Sequence, residues 1–246
     1  MKPANSISPE AERAHVWGAD PLSRFLDAAH ANARHAFADD RERYDSLVEV
    51  DALYRLLLEN LGDSPEQLSG ALLMRAHGLF LGAVSLALSG LVAEAYVLLN
   101  RSLKASLQGV YVAADPTRQQ LWVGRNNDGV SRKLMQAEFK TEKMRRRLEQ
   151  FDPATAAICE KLLRRTMDHS DHPNTYADPF GKPLSGQPRF DVAQEYFVEG
   201  GEVQKFCLRS AAQVGICCLS MFFYVFPDRY RDTDIPDRLT NLRQGH

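Results

Sequence analysis

The strongest constraint on the fold is a helix start signal, aspartate followed by proline, that recurs ahead of apolar residues with helical spacing. It stands at Asp20-Pro21, Asp115-Pro116 and Asp152-Pro153. An aspartate at the N-cap accepts hydrogen bonds from the first unpaired amides of a helix, and proline at the next position removes no donor that the helix needs. Ser64-Pro65-Glu66-Gln67 has the same form and adds the glutamine of a capping box. We therefore expect a helix to begin at each of these four places.

Apolar residues recur at intervals of three and four in most of the chain, whereas the alternation typical of strands is nearly absent. Gly62, Gly90 and Gly129 stand where helices can end. The pattern predicts helices at 20–38, 41–61, 65–88, 91–113, 116–125, 130–150, 153–171 and 202–226. The predicted fold class is all-α, a single helical bundle of about seven to eight helices.

The composition is that of an ordinary globular protein with a sizeable core, with 44% hydrophobic and 25% charged residues in a chain of 246. We expect residues 1–64 to form N-terminal helices that pack on a bundle formed by residues 65–226. The polar residues 227–246 are predicted to be a loosely held C-terminal tail. Four prolines and two glycines between residues 173 and 190 exclude a helix there and predict an irregular loop.

One segment raises the question of a membrane span. Residues 78–93 are sixteen residues without a charge, and a spanning helix needs about 20 apolar residues. Ser89-Gly90 interrupts this run. A buried helix followed by a turn is the better interpretation, and we expect no membrane contact.

The cysteines and the N-terminus indicate the compartment. Cys159, Cys207, Cys217 and Cys218 contain no Cys-x-x-Cys pair, and the last three lie in one apolar stretch. Such cysteines behave as small hydrophobic residues, so we expect reduced core thiols. The N-terminal segment has no apolar core of a secretion signal. Both observations predict a cytoplasmic protein.

The charge is unevenly distributed along the chain. The formal net charge is −2, yet residues 132–165 hold 10 basic and 5 acidic residues. A local basic surface of this kind can follow the backbone of RNA. The predicted nucleic-acid-binding residues are Lys140, Lys143, Arg145, Arg146, Arg147 and Arg164. The alternative interpretation is a solvated helix face without a ligand.

The sequence that looks most like a site is "RRTMDHSDHPN", residues 164–174. Arg165, His169 and His172 follow one another at spacings of four and three, so they share one helix face. Along the same face lie the apolar residues Phe151, Ala154, Ile158 and Leu162. A stripe that faces the core and then becomes polar is costly unless its polar groups are paired or line a cavity.

Three interpretations of this cluster remain open. In a structural one, the histidines cap the end of the helix and Arg165 pairs with a buried acid. In a metal site, His169 and His172 join Asp168 and Asp171 as ligands, although no second helix offers a matching set beyond single residues such as His77. In the third interpretation the residues cleave a phosphodiester without any metal or other cofactor: Arg165 holds the phosphate, while His169 transfers a proton with assistance from His172.

Two stretches carry a resemblance to a known superfamily. Residues 85–116, "SLALSGLVAEAYVLLNRSLKASLQGVYVAADP", have a small-residue turn, a helix with Arg-Ser, and an aromatic residue before Asp-Pro. The helix that ends in "RRTMDHSDHPN" has a terminal His-Pro-Asn. In both respects the chain resembles the HEPN superfamily, especially its uncharacterised, defence-associated bacterial members, over about residues 70–225.

The resemblance implies a helical bundle that forms a homodimer. Active members are described as ribonucleases in which arginine is followed after four to six residues by histidine, and other members are inactive. Arg164 to His169 and Arg165 to His172 both fit that spacing. The resemblance further implies RNA as substrate and a protein partner such as an antitoxin. The alternative is a non-catalytic helical module that binds a protein or a nucleotide.

Overall fold

The structure, a computed structural model, describes Gly18, residues 20–59, Leu61, and residues 67–171, 197–198 and 201–245. Of these residues 87% are helical and none lies in a strand, which confirms the predicted all-α fold. Their eleven α-helices exceed the predicted number of about seven to eight. In chain order they are α1 (Pro21–Asp39), α2 (Arg41–Glu59), α3 (Gln67–Leu88), α4 (Val92–Ala113), α5 (Pro116–Val123), α6 (Gly129–Glu138), α7 (Thr141–Glu149), α8 (Pro153–Asp171), α9 (Gly201–Phe222), α10 (Pro227–Arg231) and α11 (Ile235–Gln244).

The three Asp-Pro signals begin helices as predicted. Each aspartate accepts a hydrogen bond from an amide two or three residues later, at 3.0 Å for Asp20, 2.8 Å for Asp115 and 2.9 Å for Asp152. These bonds satisfy amides that have no partner inside the helix. The fourth predicted start, at Ser64, lies outside the described residues.

The predicted helix over 130–150 is two helices, α6 and α7. The break falls at Phe139, whose ring is buried and packs edge-on against Tyr111 and Trp122, with centroid distances of 5.4 and 5.1 Å. Helical periodicity continues through this position because Phe139 fits the apolar pattern of either helix. The pattern therefore does not reveal the change of direction.

The expectation of a loosely held C-terminal tail was wrong. The tail forms α10 and α11, and Ile235 and Leu239 are buried on the face of α11 that packs against α9. Arg238 forms two parallel bonds to Glu49 on α2, with N–O distances of 2.6 and 3.0 Å. Buried apolar side chains and this ion pair together hold the polar segment on the core.

Two long helices organise the core. α4 packs against α3, α7, α8 and α9, and α9 also contacts α2 and α11. A cluster of buried apolar side chains extends from Leu47 on α2 to Leu239 on α11. The four cysteines are buried and free within it, as predicted.

Among the described helices, α3 alone has the length and mean hydropathy, 1.6, of a membrane span. The core helix of a soluble protein passes the same test, and 39% of the apolar window of α3 is buried inside the protein. The buried side of α3 includes Leu73, Ala76 and Phe80, while Met74 and Leu81 are exposed.

The turn between α3 and α4 requires a glycine. Gly90 has a positive φ of 87°, and a Cβ atom there would lie 2.8 Å from the carbonyl oxygen of Val198. The Val198 amide donates to the Gly90 carbonyl at 2.9 Å. Side-chain amides of Asn32 and Gln204 donate to three further carbonyls of this turn. The turn therefore joins α1, α3, α4, α9 and the segment before α9.

The other two glycines that were predicted to end helices have different outcomes. Gly129 is the first residue of α6, because Asp128 is the N-cap and accepts a hydrogen bond from the Ser131 amide at 2.7 Å. Gly62 lies outside the described residues. Of the three, only Gly90 is seen to end a helix.

We expect Gly90→Ala to lower the free energy of unfolding by more than Gly201→Ala. Both positions have positive φ, at 87° and 72°, and alanine costs about 1–2 kcal/mol in that region. Only Gly90 adds a steric conflict, since no atom of the described residues lies within 4 Å of a Cβ atom at Gly201. Urea denaturation of both variants measures the difference, and equal losses would contradict this account of the turn.

Candidate functional site

α8 carries two of the three predicted catalytic residues, Arg165 and His169, along the edge of its buried face. The centre of that face is formed by Ala156, Cys159 and Thr166, all fully buried. The predicted inward stripe was partly wrong, because Ile158 is 48% exposed although Leu162 is buried. Arg165 and His169 therefore lie beside α9 at the border between core and solvent.

Arg165 is held by neutral partners on α9. Its Nη1 donates to Oε1 of Gln213 at 2.5 Å and to Oγ of Ser210 at 3.4 Å. Its guanidinium carbon lies 5.2 Å from the centre of the Phe206 ring. No carboxylate among the described residues forms an ion pair with Arg165, so the buried acid of the structural interpretation is not found there.

His169 packs between two aromatic rings. Its imidazole stacks on Tyr96 of α4 with a centroid distance of 4.6 Å and an interplanar angle of 24°. It also meets the ring of Phe206 at 5.9 Å in an edge-on arrangement. Arg165 and His169 thus contact the same phenyl ring, which brings the guanidinium and the imidazole to one place.

The surroundings of His169 favour its neutral form. Burial lowers the pKa of the imidazole below its ordinary value of 6.5, the carboxylate of Asp168 acts in the opposite direction, and the charge of Arg165 lowers the pKa further. A neutral imidazole near pH 7 can accept a proton.

Buried hydrogen bonds position α8 relative to α4 and α9. Asn100 on α4 donates to Oγ1 of Thr166, the residue after Arg165, at 2.8 Å. Tyr96 donates to Oγ of Ser210 at 3.3 Å, and the same oxygen accepts from Arg165. The aromatic ring beneath His169 and the hydroxyl beside Arg165 are therefore connected.

Sequence reasoning missed these partner residues. Phe206, Ser210 and Gln213 follow one another on α9 at spacings of four and three, so they share one helix face. Ser210 and Gln213 are polar residues in an otherwise apolar helix. Such a pattern predicts that their side chains form buried hydrogen bonds, but it does not predict with which residues. Asn100 in the apolar helix α4 is a signal of the same kind.

The predicted nucleic-acid-binding residues lie on α7, at its start, and on α8, among acids of the same segment. Arg145 pairs with Glu142, Glu149 and Glu160 at 3.1, 3.2 and 3.6 Å. The remaining contacts are Arg146–Glu142, Arg164–Glu160, Lys143–Glu138 and Arg147–Gln150, while Lys140 is exposed at the start of α7. These acids partly neutralise the basic side chains that the surface presents.

The metal interpretation finds no ligand set within the described residues, where no group of three or more His, Cys, Asp or Glu side chains converges. His77 bonds instead to Asp51 on α2 at 2.6 Å. His172 lies outside the described residues. Its predicted assistance to His169, and its place in a metal site, stay predictions.

We expect the NMR titration midpoint of His169 to lie below 6.5. Asp168→Asn should lower it further, and Arg165→Gln should raise it, because the two charges act in opposite directions. Since the pKa is depressed in the folded state, the contribution of His169 to stability is complete above pH 6.5 and is lost as the pH falls through its folded-state pKa. Shifts of the same sign in the two variants would contradict this account.

Comparison with known proteins gives no family. No family model matches the chain, and neither a curated protein nor a solved structure matches it.

Proposed function

We propose that this chain is a metal-independent endoribonuclease of the HEPN type, or an inactive relative that retains the same site. The observation that carries the proposal is the contact of Arg165 and His169 with one ring, that of Phe206. A guanidinium without a described acidic partner lies beside an imidazole that burial keeps neutral. A pair of this kind can cleave a phosphodiester without a metal, because the imidazole transfers a proton and the guanidinium stabilises the developing charge.

Arg165 is the phosphate-binding group. Both of its hydrogen bonds to described residues leave from Nη1, so Nη2 and Nε can donate to two oxygens of a phosphate. Gln213 and Ser210 hold the side chain in place, which reduces the entropy lost when the phosphate binds. A fixed guanidinium also stabilises the negative charge that develops as phosphorus gains a fifth oxygen.

His169 is the proton-transfer group. Its neutral imidazole takes the proton of a ribose 2′-hydroxyl, and the 2′-oxygen then forms a bond to phosphorus while the bond to the 5′-oxygen breaks. The leaving 5′-oxygen takes a proton from solvent or from an acidic group such as a second imidazole. The products are a 2′,3′-cyclic phosphate and a 5′-hydroxyl, and no metal or redox step is needed.

The predicted setting follows the resemblance. A homodimer would bring two copies of the Arg165–His169 pair to one RNA, and a protein partner such as an antitoxin would restrain them in a cytoplasmic defence or toxin–antitoxin system. The second candidate is a non-catalytic module that binds a protein or a nucleotide. The fixation of Arg165 by Gln213 and Ser210 favours that candidate, because binding alone needs only the held cation.

We expect His169→Ala to reduce RNA cleavage by about 10²–10⁴-fold, the usual contribution of a proton-transfer group. Arg165→Ala should reduce it by about 10²–10³-fold, the usual cost of removing one donor to the developing charge. The matched controls are His35→Ala, an exposed histidine of α1, and Arg164→Ala. Arg164 fits the superfamily spacing as well, yet it is 70% exposed and pairs with Glu160. Cleavage of a labelled RNA is measured with and without EDTA, together with thermal melting of each variant.

The outcomes separate the interpretations. Cleavage that EDTA abolishes would overturn the metal-free mechanism. Absence of cleavage, with RNA or nucleotide binding that depends on Arg165, would support the non-catalytic module. Absence of both cleavage and binding, with lowered melting temperatures for the site variants, would support the structural interpretation of the cluster. Equal losses in Arg164→Ala and Arg165→Ala would contradict the assignment to Arg165.

We expect the triple variant Lys140→Glu, Lys143→Glu, Arg146→Glu to weaken RNA binding. These side chains are exposed and can exchange their weak ion pairs for phosphates. The logarithm of the RNA-binding constant falls linearly with the logarithm of the salt concentration, and each phosphate contact with a single strand contributes about 0.7 to the slope. Loss of three such contacts should therefore reduce the magnitude of the slope by about 2. Arg145 is left intact because it pairs with three glutamates.

The matched control for this experiment reverses three exposed arginines, Arg24, Arg34 and Arg41, on α1 and α2. The control changes the net charge by the same amount as the triple variant at Lys140, Lys143 and Arg146. If the control loses as much affinity as the α7 variant, overall charge rather than the predicted surface governs binding.

A further inference from the structure

Arg165 also lines a groove to which His169 does not contribute. The groove runs between α8 and α9 beneath the end of α11 and has a volume of about 320 Å³. Ile158, Leu162 and Ile216 contribute its aliphatic walls. Its size and mainly apolar lining are those of a site for a small organic molecule, for which about 300–1,000 Å³ is typical.

Three cations stand at this groove, Lys161 and Arg165 on α8 and Arg243 on α11. None of the described residues that line it is an aspartate or a glutamate. Arg165 is held by Gln213, and Arg243 donates from Nη2 to Oγ of Ser220 at 2.6 Å. Two of the three charges are therefore fixed before any ligand arrives.

The groove continues beyond Arg243 into a second hollow of about 340 Å³, which shares Thr155, Ile158, Ser220 and Arg243 with the first. Its additional lining includes the aromatic side chains of Phe223 and Tyr224 and the carboxylate of Asp152. The acid repels an anion at this end, so a negative head group prefers the end with Lys161 and Arg165. The aromatic end accepts an apolar body.

We propose that the groove binds a medium-chain carboxylate, with its head between Lys161, Arg165 and Arg243 and its chain along Ile158 and Ile216 towards Phe223. The charges favour an anion. The apolar walls favour a hydrocarbon chain, because apolar surface removed from water stabilises the complex. A bare phosphate or an RNA backbone would leave these walls uncovered.

The inference does not depend on catalysis at His169, which does not line the groove. A ligand there would contact the guanidinium that is proposed to bind phosphate. Binding of the carboxylate and binding of RNA are therefore expected to compete through Arg165 if both occur.

Three ligands that separate the contribution of the charge from that of the hydrocarbon chain test the proposal. Their binding to the full chain is measured by calorimetry, below the critical micelle concentration. Decanoate has the charge and the chain, acetate has only the charge, and decanol has only the chain. We expect saturable binding of decanoate, with acetate and decanol weaker by about tenfold or more, the loss of one charged hydrogen bond or of several buried methylenes. Equal binding of decanol and decanoate, or no saturable binding of decanoate, would overturn the proposal.

Two variants locate the site without altering the proposed catalytic residues. Ile158→Trp fills the groove from a half-exposed position, and Lys161→Glu reverses one rim charge. Each should weaken decanoate binding by about tenfold or more. The controls Val130→Trp, at a position 68% exposed, and Lys133→Glu repeat the same changes on α6 and should leave binding unchanged.

Two further outcomes would overturn the proposed carboxylate site. If a control weakens binding as much as its partner variant, the ligand binds elsewhere and the proposal fails. If a short RNA displaces decanoate and Ile158→Trp weakens RNA binding equally, the groove belongs to an RNA site instead. Thermal melts of all four variants verify that they remain folded.

Discussion

α4 is buried on almost every side, so its polar side chains have to find hydrogen-bond partners inside the protein. Ser102 donates to the Ala76 carbonyl on α3, Asn100 donates to Thr166 on α8, and Tyr96 donates to Ser210 on α9. Each of these bonds joins α4 to a different helix. A small rotation of any of those helices would leave a buried polar group unpaired, at a cost of about 1–3 kcal/mol. These bonds therefore set how the surrounding helices are positioned.

The candidate site is a consequence of that arrangement. Asn100 aligns α8 at the residue next to Arg165, and Tyr96 provides both the surface under His169 and the bond to Ser210 that Arg165 shares. A guanidinium and an imidazole held by three different helices keep their separation as the side chains fluctuate. Such pre-organisation is what proton transfer and phosphate binding demand, and it would serve a simple binding site equally well.

Local signals in the sequence were sufficient to predict much of this fold and part of the candidate site. Asp-Pro caps placed three helix starts, and a spacing of four placed Arg165 and His169 on one face. The partners of these two residues could not be predicted, because Phe206 and Gln213 lie some forty residues further along the chain and no local pattern connects the two helices. The exposure of Ile158 was missed for a related reason: periodicity gives the direction of an apolar stripe but not the edge at which burial ends.

The break between α6 and α7 and the folded C-terminus also depend on contacts between distant residues, which local sequence patterns do not reveal. Phe139 suits the pattern of one long helix, and only its contacts with Tyr111 and Trp122 reveal that the chain turns. In α11, a few apolar residues among many polar ones give a weak signal, and the bidentate pair of Arg238 with Glu49 joins residues far apart in sequence.

The four buried cysteines give the folded and unfolded chains different redox chemistry. Burial raises the pKa of the Cys207 thiol to about 12 and that of Cys218 to about 11, so both stay protonated and are poor nucleophiles in the native state. In the unfolded chain the same thiols return to a pKa of about 8.5 and become accessible. An oxidant would therefore modify molecules that have opened and spare those that have not. Disulfides formed in that state would hinder refolding until they are reduced, so that unfolding under oxidising conditions lasts longer than the opening that began it.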